Sequence, residues 1–298
     1  MIRLGIVDFD TSHVVEFTKR LNHIDIAEEQ WVEGAQVVAG FRGTSRITEE
    51  EQIQKYTDTL VGWDVQLVDR PEDLIGKVDG VLIESQEGGV HLDRARPFLA
   101  AGMSCYIDKP FACSIADAKE IVRLAEATKC ALFSSSSLRY GLEVVEVQSD
   151  ENVGAIMGAE CWAPAALHPN NPGLFHYGIH AVEPLFALMG PGCREVTCTF
   201  TAGAEVSVGE WSDGRLGCVR GTRAGGWAYG FTVWGEKGVR SSSINASTIY
   251  RELLKNIVRM FETGKPPLDL RQTLEIVAFI ESAMKSAELG GLPIPVRV

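Results

Sequence analysis

Through the first 134 residues, short apolar runs alternate with amphipathic stretches, and this alternation limits the fold more than any other feature of the chain. "LGIVDF" is bounded by polar turn residues, and "SHVVEFTKRL" after it places Val14, Val15, Phe17, Thr18 and Leu21 near one helical face. "AQVVAGF", "VQLVD", "GVLIES", "SCYIDKP" and "CALFSS" read as further strands. "TEEEQIQKY", "RPEDLIGKV", "HLDRARPFLAAG" and "SIADAKEIVRLAEATK" read as the helices between them. Pro71 suits a first helical turn, Pro97 predicts a kink, and Ser114 is a good N-cap. Strands apolar on both faces and separated by helices predict a parallel sheet with right-handed crossovers. Residues 1–134 therefore read as a doubly wound, Rossmann-type domain.

From about residue 135 the pattern changes. "REVTCTFTAG", "AEVSVGEW", "GRLGCVRGT", "WAYGFTVWG" and "GVRSSSIN" are successive strand candidates, with "SDG" and "GEKG" as turns. Such short connections predict a mostly antiparallel sheet. Two helices, "STIYRELLKNIVRMFETG" and "DLRQTLEIVAFIESAMKSAELGG", close the chain. Residues 135–298 thus read as a second, α+β domain, to which the resemblance drawn below assigns substrate and oligomer contacts. Trp227, Val233 and Trp234 are its candidates for an exposed sheet face through which a homo-oligomer forms.

A formal net charge of -12 argues against a nucleic-acid partner, whose phosphates need a basic face. No apolar run approaches the roughly 18 residues of a membrane span, and Asp8 and Asp10 interrupt the N-terminal apolar stretch as no signal peptide would allow. Seven cysteines without a C-x-x-C pair read as buried free thiols in a reducing, cytoplasmic setting.

Two stretches carry candidate chemistry. In "YIDKPFACS", Lys109 and Pro110 follow a buried strand, and open α/β sheets bind ligands at the carboxyl ends of their strands. A lysine there can donate to a hydroxyl or carbonyl, or be a surface lysine beside a turn proline. In "GLFHYGIHAVEPLFALMG", His176, His180 and Glu183 are spaced i, i+4, i+7 on one helical face, with Pro184 as a local irregularity. A histidine can take an alcohol proton near neutral pH. The same spacing also suits paired core histidines, or zinc ligands of a metal-dependent lyase or hydrolase.

The block "DGVLIESQEGGVHLDRARPFLAAGMSCYIDKPFACSIADAKEIVRLAEATKCALFSSSSLRY" resembles the glucose-fructose oxidoreductase / inositol dehydrogenase / MocA family, over residues 1–190 and more loosely beyond. The resemblance implies an NAD(P)-binding Rossmann domain and a C-terminal domain that contacts a small-molecule substrate. It puts the family lysine at Lys109, preceded by Asp108 in place of the usual Glu. It puts the proton acceptor at His180, and His176 where the family has a substrate-binding aspartate. Glu183 stands for the following Asp, and His91 matches the histidine that starts a helix after the fourth strand. Trp162 and Tyr177 are weaker candidates for the substrate pocket.

The three positions of a G-x-G-x-x-G fingerprint fall on Asp8, Asp10 and His13. A side chain at position 10 blocks close approach of a pyrophosphate, and carboxylates there repel it by about 1 kcal/mol per contact pair in water. The helix N-terminus remains, with Asp10, Thr11 and Ser12 as anion contacts or as simple N-caps. Where an acid would bind the ribose after the second strand, the chain has Arg42, then Thr44, Ser45 and Arg46, which suits a 2′-phosphate or a solvated basic turn. Ser85, Asp108 and Lys109 complete the expected cofactor contacts, with NADP favoured slightly over NAD. The leading expectation is hydride transfer between nicotinamide and a secondary alcohol or ketone of a sugar or polyol. The alternative is a non-redox ligand-binding or regulatory descendant that has lost the dinucleotide.

Overall fold

The computed structural model describes residues 1–298. In chain order its elements are β1 (Ile2–Val7), α1 (His13–Asn22), β2 (Ala35–Phe41), α2 (Glu50–Gly62), β3 (Gln66–Val68), β4 (Gly80–Ile83), α3 (His91–Ala100), β5 (Cys105–Ile107), α4 (Ile115–Thr128) and β6 (Leu132–Phe133). Then follow α5 (Leu142–Val147), β7 (Ile156–Pro164), α6 (Ile179–Met189), β8 (Cys193–Phe200), β9 (Ala204–Trp211), β10 (Leu216–Thr222), β11 (Gly230–Gly235), β12 (Val239–Ser243), α7 (Ile249–Thr263), α8 (Leu270–Glu288) and β13 (Ile294–Pro295).

The chain divides into two compact units. The first is residues 1–112, 116–135 and 250–270; the second is 113–115, 136–249 and 271–298. The first unit holds a six-stranded sheet in the order β3-β2-β1-β4-β5-β6, parallel throughout. All four residues of β4 are buried, as a strand covered on both faces requires. The order reverses between β1 and β4, so their carboxyl ends, at Asp8 and Glu84, diverge into the crevice where such sheets take ligands. Residues 250–270 depart from the expected 134/135 boundary, because α7 completes this unit rather than the other. Leu253, Leu254, Ile257 and Met260 are fully buried, and the Phe261 ring lies so close to the Gly80 Cα that no Cβ fits there. That apolar stripe was legible, but which sheet it covers was not.

The second unit is a seven-stranded sheet in the order β12-β11-β7-β10-β9-β8-β13, antiparallel except for the β10–β7 pair. Phe186 of α6 packs against Trp211 of β9 and Phe279 of α8, with ring centroids 5.5 and 5.6 Å apart. The expected exposed trio is corrected. Val233 is fully buried, as the period of two in β11 demands once Trp234 points outward, and Trp227 lies outside any strand. All seven cysteines are free thiols. No helix is long and apolar enough to cross a membrane.

Candidate active site

The turn after β1 keeps a nucleotide-binding shape but has different chemistry. Asp8 takes φ +66°, the left-handed conformation that the first fingerprint glycine normally supplies. Its Oδ2 accepts from Ser85 Oγ at 2.6 Å and from Arg94 Nε at 2.7 Å. Ser85 therefore serves the turn's own carboxylate. Asp10 is buried, and its Oδ1 accepts the Gln86 N–H at 2.9 Å. Burial, with a smaller push from Asp8, raises its pKa to about 6 despite hydrogen bonds from Ser45 and Gln86. Thr48 Oγ1 lies 2.6 Å from Asp10 O and 2.7 Å from Gln86 Oε1, tying the β1 and β4 ends together. Ser12 stands at the α1 N-cap without a capping side-chain bond, while Thr11 Oγ1 accepts weakly from His13 N at 3.4 Å.

The proposed 2′-phosphate readers already have acidic partners. Arg42 pairs with Glu50 and donates to Gly43 O at 3.3 Å. Arg46 pairs with Glu87, its Nε 2.9 Å from Glu87 Oε2. Ser45 Oγ accepts from Ile47 N and Thr48 N at 3.0 Å each, which makes it a local cap. Thr44 is exposed.

At the other carboxyl ends of the sheet, His13, Glu84, Asp108 and Lys109 gather. His13 Nδ1 lies 2.9 Å from Asp108 Oδ2 and 3.8 Å from Glu84 Oε2. The His13 ring stacks on Phe17 at 4.9 Å and meets Tyr250 edge-on at 5.0 Å. Lys109 Nζ is 3.7 Å from Asp108 Oδ2. Burial opposes ionisation of Asp108, but His13 and Lys109 outweigh it and hold the carboxyl well below the usual range. Burial and the nearby Asp108 charge push Glu84 well above it, against a smaller opposing pull from Lys109. His91 Nε2 contacts Ser85 O at 2.8 Å and its Nδ1 contacts Phe111 O at 3.2 Å. The ring thereby fastens the loop after β4 to the loop that carries Lys109. Burial favours its neutral form, in which one nitrogen carries a proton and donates to one of the two carbonyls.

In the second unit His180 sits in the first turn of α6, with Nδ1 2.7 Å from Ser136 Oγ. Tyr177 and Tyr229 meet its ring edge-on at 5.7 and 5.9 Å. The helical face expected for His176, His180 and Glu183 does not form. His176 ends a 3-10 turn (Gly173–Phe175) before the helix begins, and its ring neighbours His168 at 5.4 Å. Glu183 is buried against Arg139, 2.7 Å from its Nε, and Arg139 Nη1 also donates to Gln272 at 3.1 Å. This pair argues against the alternative of a zinc triad, because the carboxylate already has a cation. Trp162 is half-buried in β7, opposite Gly230.

Residues 33–136 match the model of the Gfo/Idh/MocA oxidoreductase family, NAD-binding Rossmann fold. Over that segment the chain is similar to the Gfo/Idh/MocA family. Its fold is similar over nearly the full length to solved structures. One is a "probable dehydrogenase" from Thermotoga maritima (TM-score 0.81, 17% identity, 99% of each chain covered). Another is myo-inositol dehydrogenase from Lactobacillus casei in complex with NAD(H) and myo-inositol (0.80, 14%, 100% of this chain and 97% of that one). A third is an oxidoreductase from Agrobacterium radiobacter in complex with NAD+, L-tartaric acid and magnesium (0.76, 15%, 99% and 98%). At these identities the likeness is one of fold. No curated protein sequence matches the chain.

Against the family's dinucleotide, the residues of the first unit fit in part. At the end of β5 the chain keeps an acid-Lys-Pro sequence, Asp108-Lys109-Pro110. The pyrophosphate end does not fit the glycine cradle, because the Asp8 and Asp10 carboxylates occupy it and take donors of its own loops. Glu84, His13, Arg94 and Ser136 were missed from sequence. The acid that ends the apolar run "GVLIE" was the available signal for Glu84, since strand ends at the order reversal are where ligands bind.

Proposed function

We propose that the chain is an NAD(P)-linked oxidoreductase acting on a secondary alcohol or ketone of a small polyhydroxylated compound. The observation that supports it most is His180, placed in the first turn of α6 and held at Nδ1 by Ser136. That contact orients the ring, and the imidazole would exchange a proton with a substrate hydroxyl. Lys109, at the end of β5, would donate to an oxygen that gains charge in the reaction and lower the cost of that charge. When bound, the nicotinamide supplies the hydride acceptor or donor. Asp108 and Lys109 would hold its end of the cofactor, with Thr11 and Ser12 the remaining contacts at the α1 terminus. His176 and Tyr177 would contact substrate from the turn before α6. The choice of NADP over NAD would rest on Arg42 exchanging Glu50 for a phosphate. A homo-oligomer through the second sheet is part of this reading. Leu216 and Trp234, 57% and 44% exposed, flank Gly158 on one face and supply an apolar patch for it.

The second reading, a non-redox ligand-binding protein, is favoured by one observation: the pyrophosphate turn carries its own carboxylates at Asp8 and Asp10. Titration of the full-length protein with NADH and NADPH, followed by cofactor fluorescence, separates the two. Micromolar binding of either, followed by cofactor turnover with myo-inositol or a related polyol, supports the oxidoreductase. No binding of either at millimolar concentration overturns it in favour of the second reading.

A further inference from the structure

Three side chains that meet near the order reversal of the parallel sheet form a donor set, and two of them, His13 and Glu84, have no part in the proposed cofactor binding or hydride chemistry. His13 begins α1, Glu84 ends the β4 run, and Asp108 ends the β5 run. Each is buried, with Glu84 and Asp108 fully enclosed. One imidazole nitrogen and one oxygen from each carboxylate all lie within 4.8 Å of one another. A cation with bonds of about 2.0–2.2 Å needs donors spaced roughly 3–3.6 Å apart in tetrahedral geometry. The pairs at 2.9 and 3.8 Å bracket that spacing.

Glu84 is the decisive member. Neither of its carboxylate oxygens has a hydrogen-bond partner, although the side chain is fully buried and aimed at the cluster. His13 and Asp108 have each other, and Asp108 has Lys109 as well; no lysine or arginine pairs with Glu84. An unpartnered buried carboxyl costs several kcal/mol in either protonation state. A structural role for Glu84 would require a donor, and the fold supplies none. A divalent cation removes the cost and also offsets the negative charge of Asp8 and Asp10 on the adjoining turn.

We propose that His13, Glu84 and Asp108 bind one divalent first-row metal ion of the zinc or manganese type. The imidazole-plus-carboxylate donors suit those ions, whereas a site for calcium or magnesium would be built of oxygen alone. Three protein donors leave at least one position open to water or to a ligand oxygen.

The test uses the full-length chain, stripped with EDTA and kept free of nucleotide, so that its outcome is independent of the cofactor reading. Calorimetric titration with zinc chloride and with manganese chloride should show one ion per chain at micromolar affinity or tighter, with a matching rise in Tm. Glu84→Gln should weaken that affinity at least tenfold. Absence of one-to-one binding by either metal overturns the proposal, and so does equal affinity of Glu84→Gln and wild type. Crystals of the wild-type protein soaked in zinc give a check free of substitutions. An anomalous peak within about 2.3 Å of all three donors supports the site, and its absence there overturns it.

Discussion

Asp10→Asn isolates what a buried carboxylate does to the nucleotide turn. Asp10 is 3% exposed, and burial raises its pKa from an ordinary value of about 3.9 to about 6. Each factor of ten in proton affinity corresponds to about 1.4 kcal/mol. The folded protein holds the proton more tightly than the unfolded chain does, so wild-type stability falls as pH rises from about 4 to about 6. The loss totals about 3 kcal/mol and is complete above pH ~7. Asparagine keeps the Oδ1 that accepts from Gln86 N. It loses the Ser45 interaction, because Ser45 Oγ already accepts from Ile47 N and Thr48 N and has no lone pair left for an amide donor. That loss is worth about 1 kcal/mol. Asp10→Asn should therefore be about 2 kcal/mol more stable than wild type at pH ~8, and about 1 kcal/mol less stable below pH ~4. The assay is urea unfolding across pH, with hydrogen exchange of β1 and β4 amides to attribute the change to the first unit. A difference that does not change sign, or does not vary between pH ~4 and ~7, would refute a burial origin for the shift.

Four further outcomes follow from particular contacts. Glu183→Ala strands the Arg139 guanidinium in a buried site and should cost about 3–5 kcal/mol in urea unfolding; a loss below about 1 kcal/mol would mean that the pair is well solvated. His180→Ala should lower cofactor turnover at least a hundredfold, and Ser136→Ala should shift the pH profile of kcat with a smaller loss. A tenfold effect or less for His180→Ala removes it from proton transfer. Arg42→Asp should weaken NADPH binding more than NADH binding in fluorescence titrations; equal effects would exclude Arg42 as a phosphate contact. Gly43→Ala should cost about 2–4 kcal/mol in wild type but only about 1 kcal/mol in an Asp8→Gly background, where the residual cost is that of alanine at positive φ. A double-mutant cycle without coupling would show that Asp8 does not set the glycine requirement.

The parallel sheet was legible because its strands read as short, mostly apolar runs, and β4, β5 and β6 are buried throughout. The second sheet was legible from its turns. The partner of α7 was not, since an apolar helical face does not say which sheet it covers. Lys109 and His180 stood out in the sequence as single candidates because each has recognisable surroundings. The Glu84 cluster escaped because its members come from one helix start and two strand ends separated by more than twenty residues each, and none is unusual alone. His176 and Glu183 were misread for the opposite reason. Their spacing matched a helix, but the helix begins only at Ile179, and Arg139, 44 residues upstream of Glu183, claims its carboxylate.

The turn after β1 shows how a backbone shape and its chemistry come apart. A fingerprint glycine is needed for positive φ and for close approach of a phosphate. Asp8 meets the first need at φ +66°, which aspartate tolerates better than most residues. Its side chain then fills the space that the second need would have left open, and the demand for a glycine moves across to Gly43. That residue also has φ +66°, and any Cβ there would strike the Asp8 carboxylate. Meanwhile Arg94 and Ser85 from the β4–α3 side neutralise and bind that carboxylate. The turn has therefore internalised an anion and its donors. Any dinucleotide bound here must displace those contacts or sit farther from the backbone, and in both cases affinity should respond to Asp8 and Asp10 more than to the α1 terminus. Aspartates at the glycine positions accordingly change the chemistry that the turn offers, while Asp8 keeps the positive φ that a glycine would have supplied.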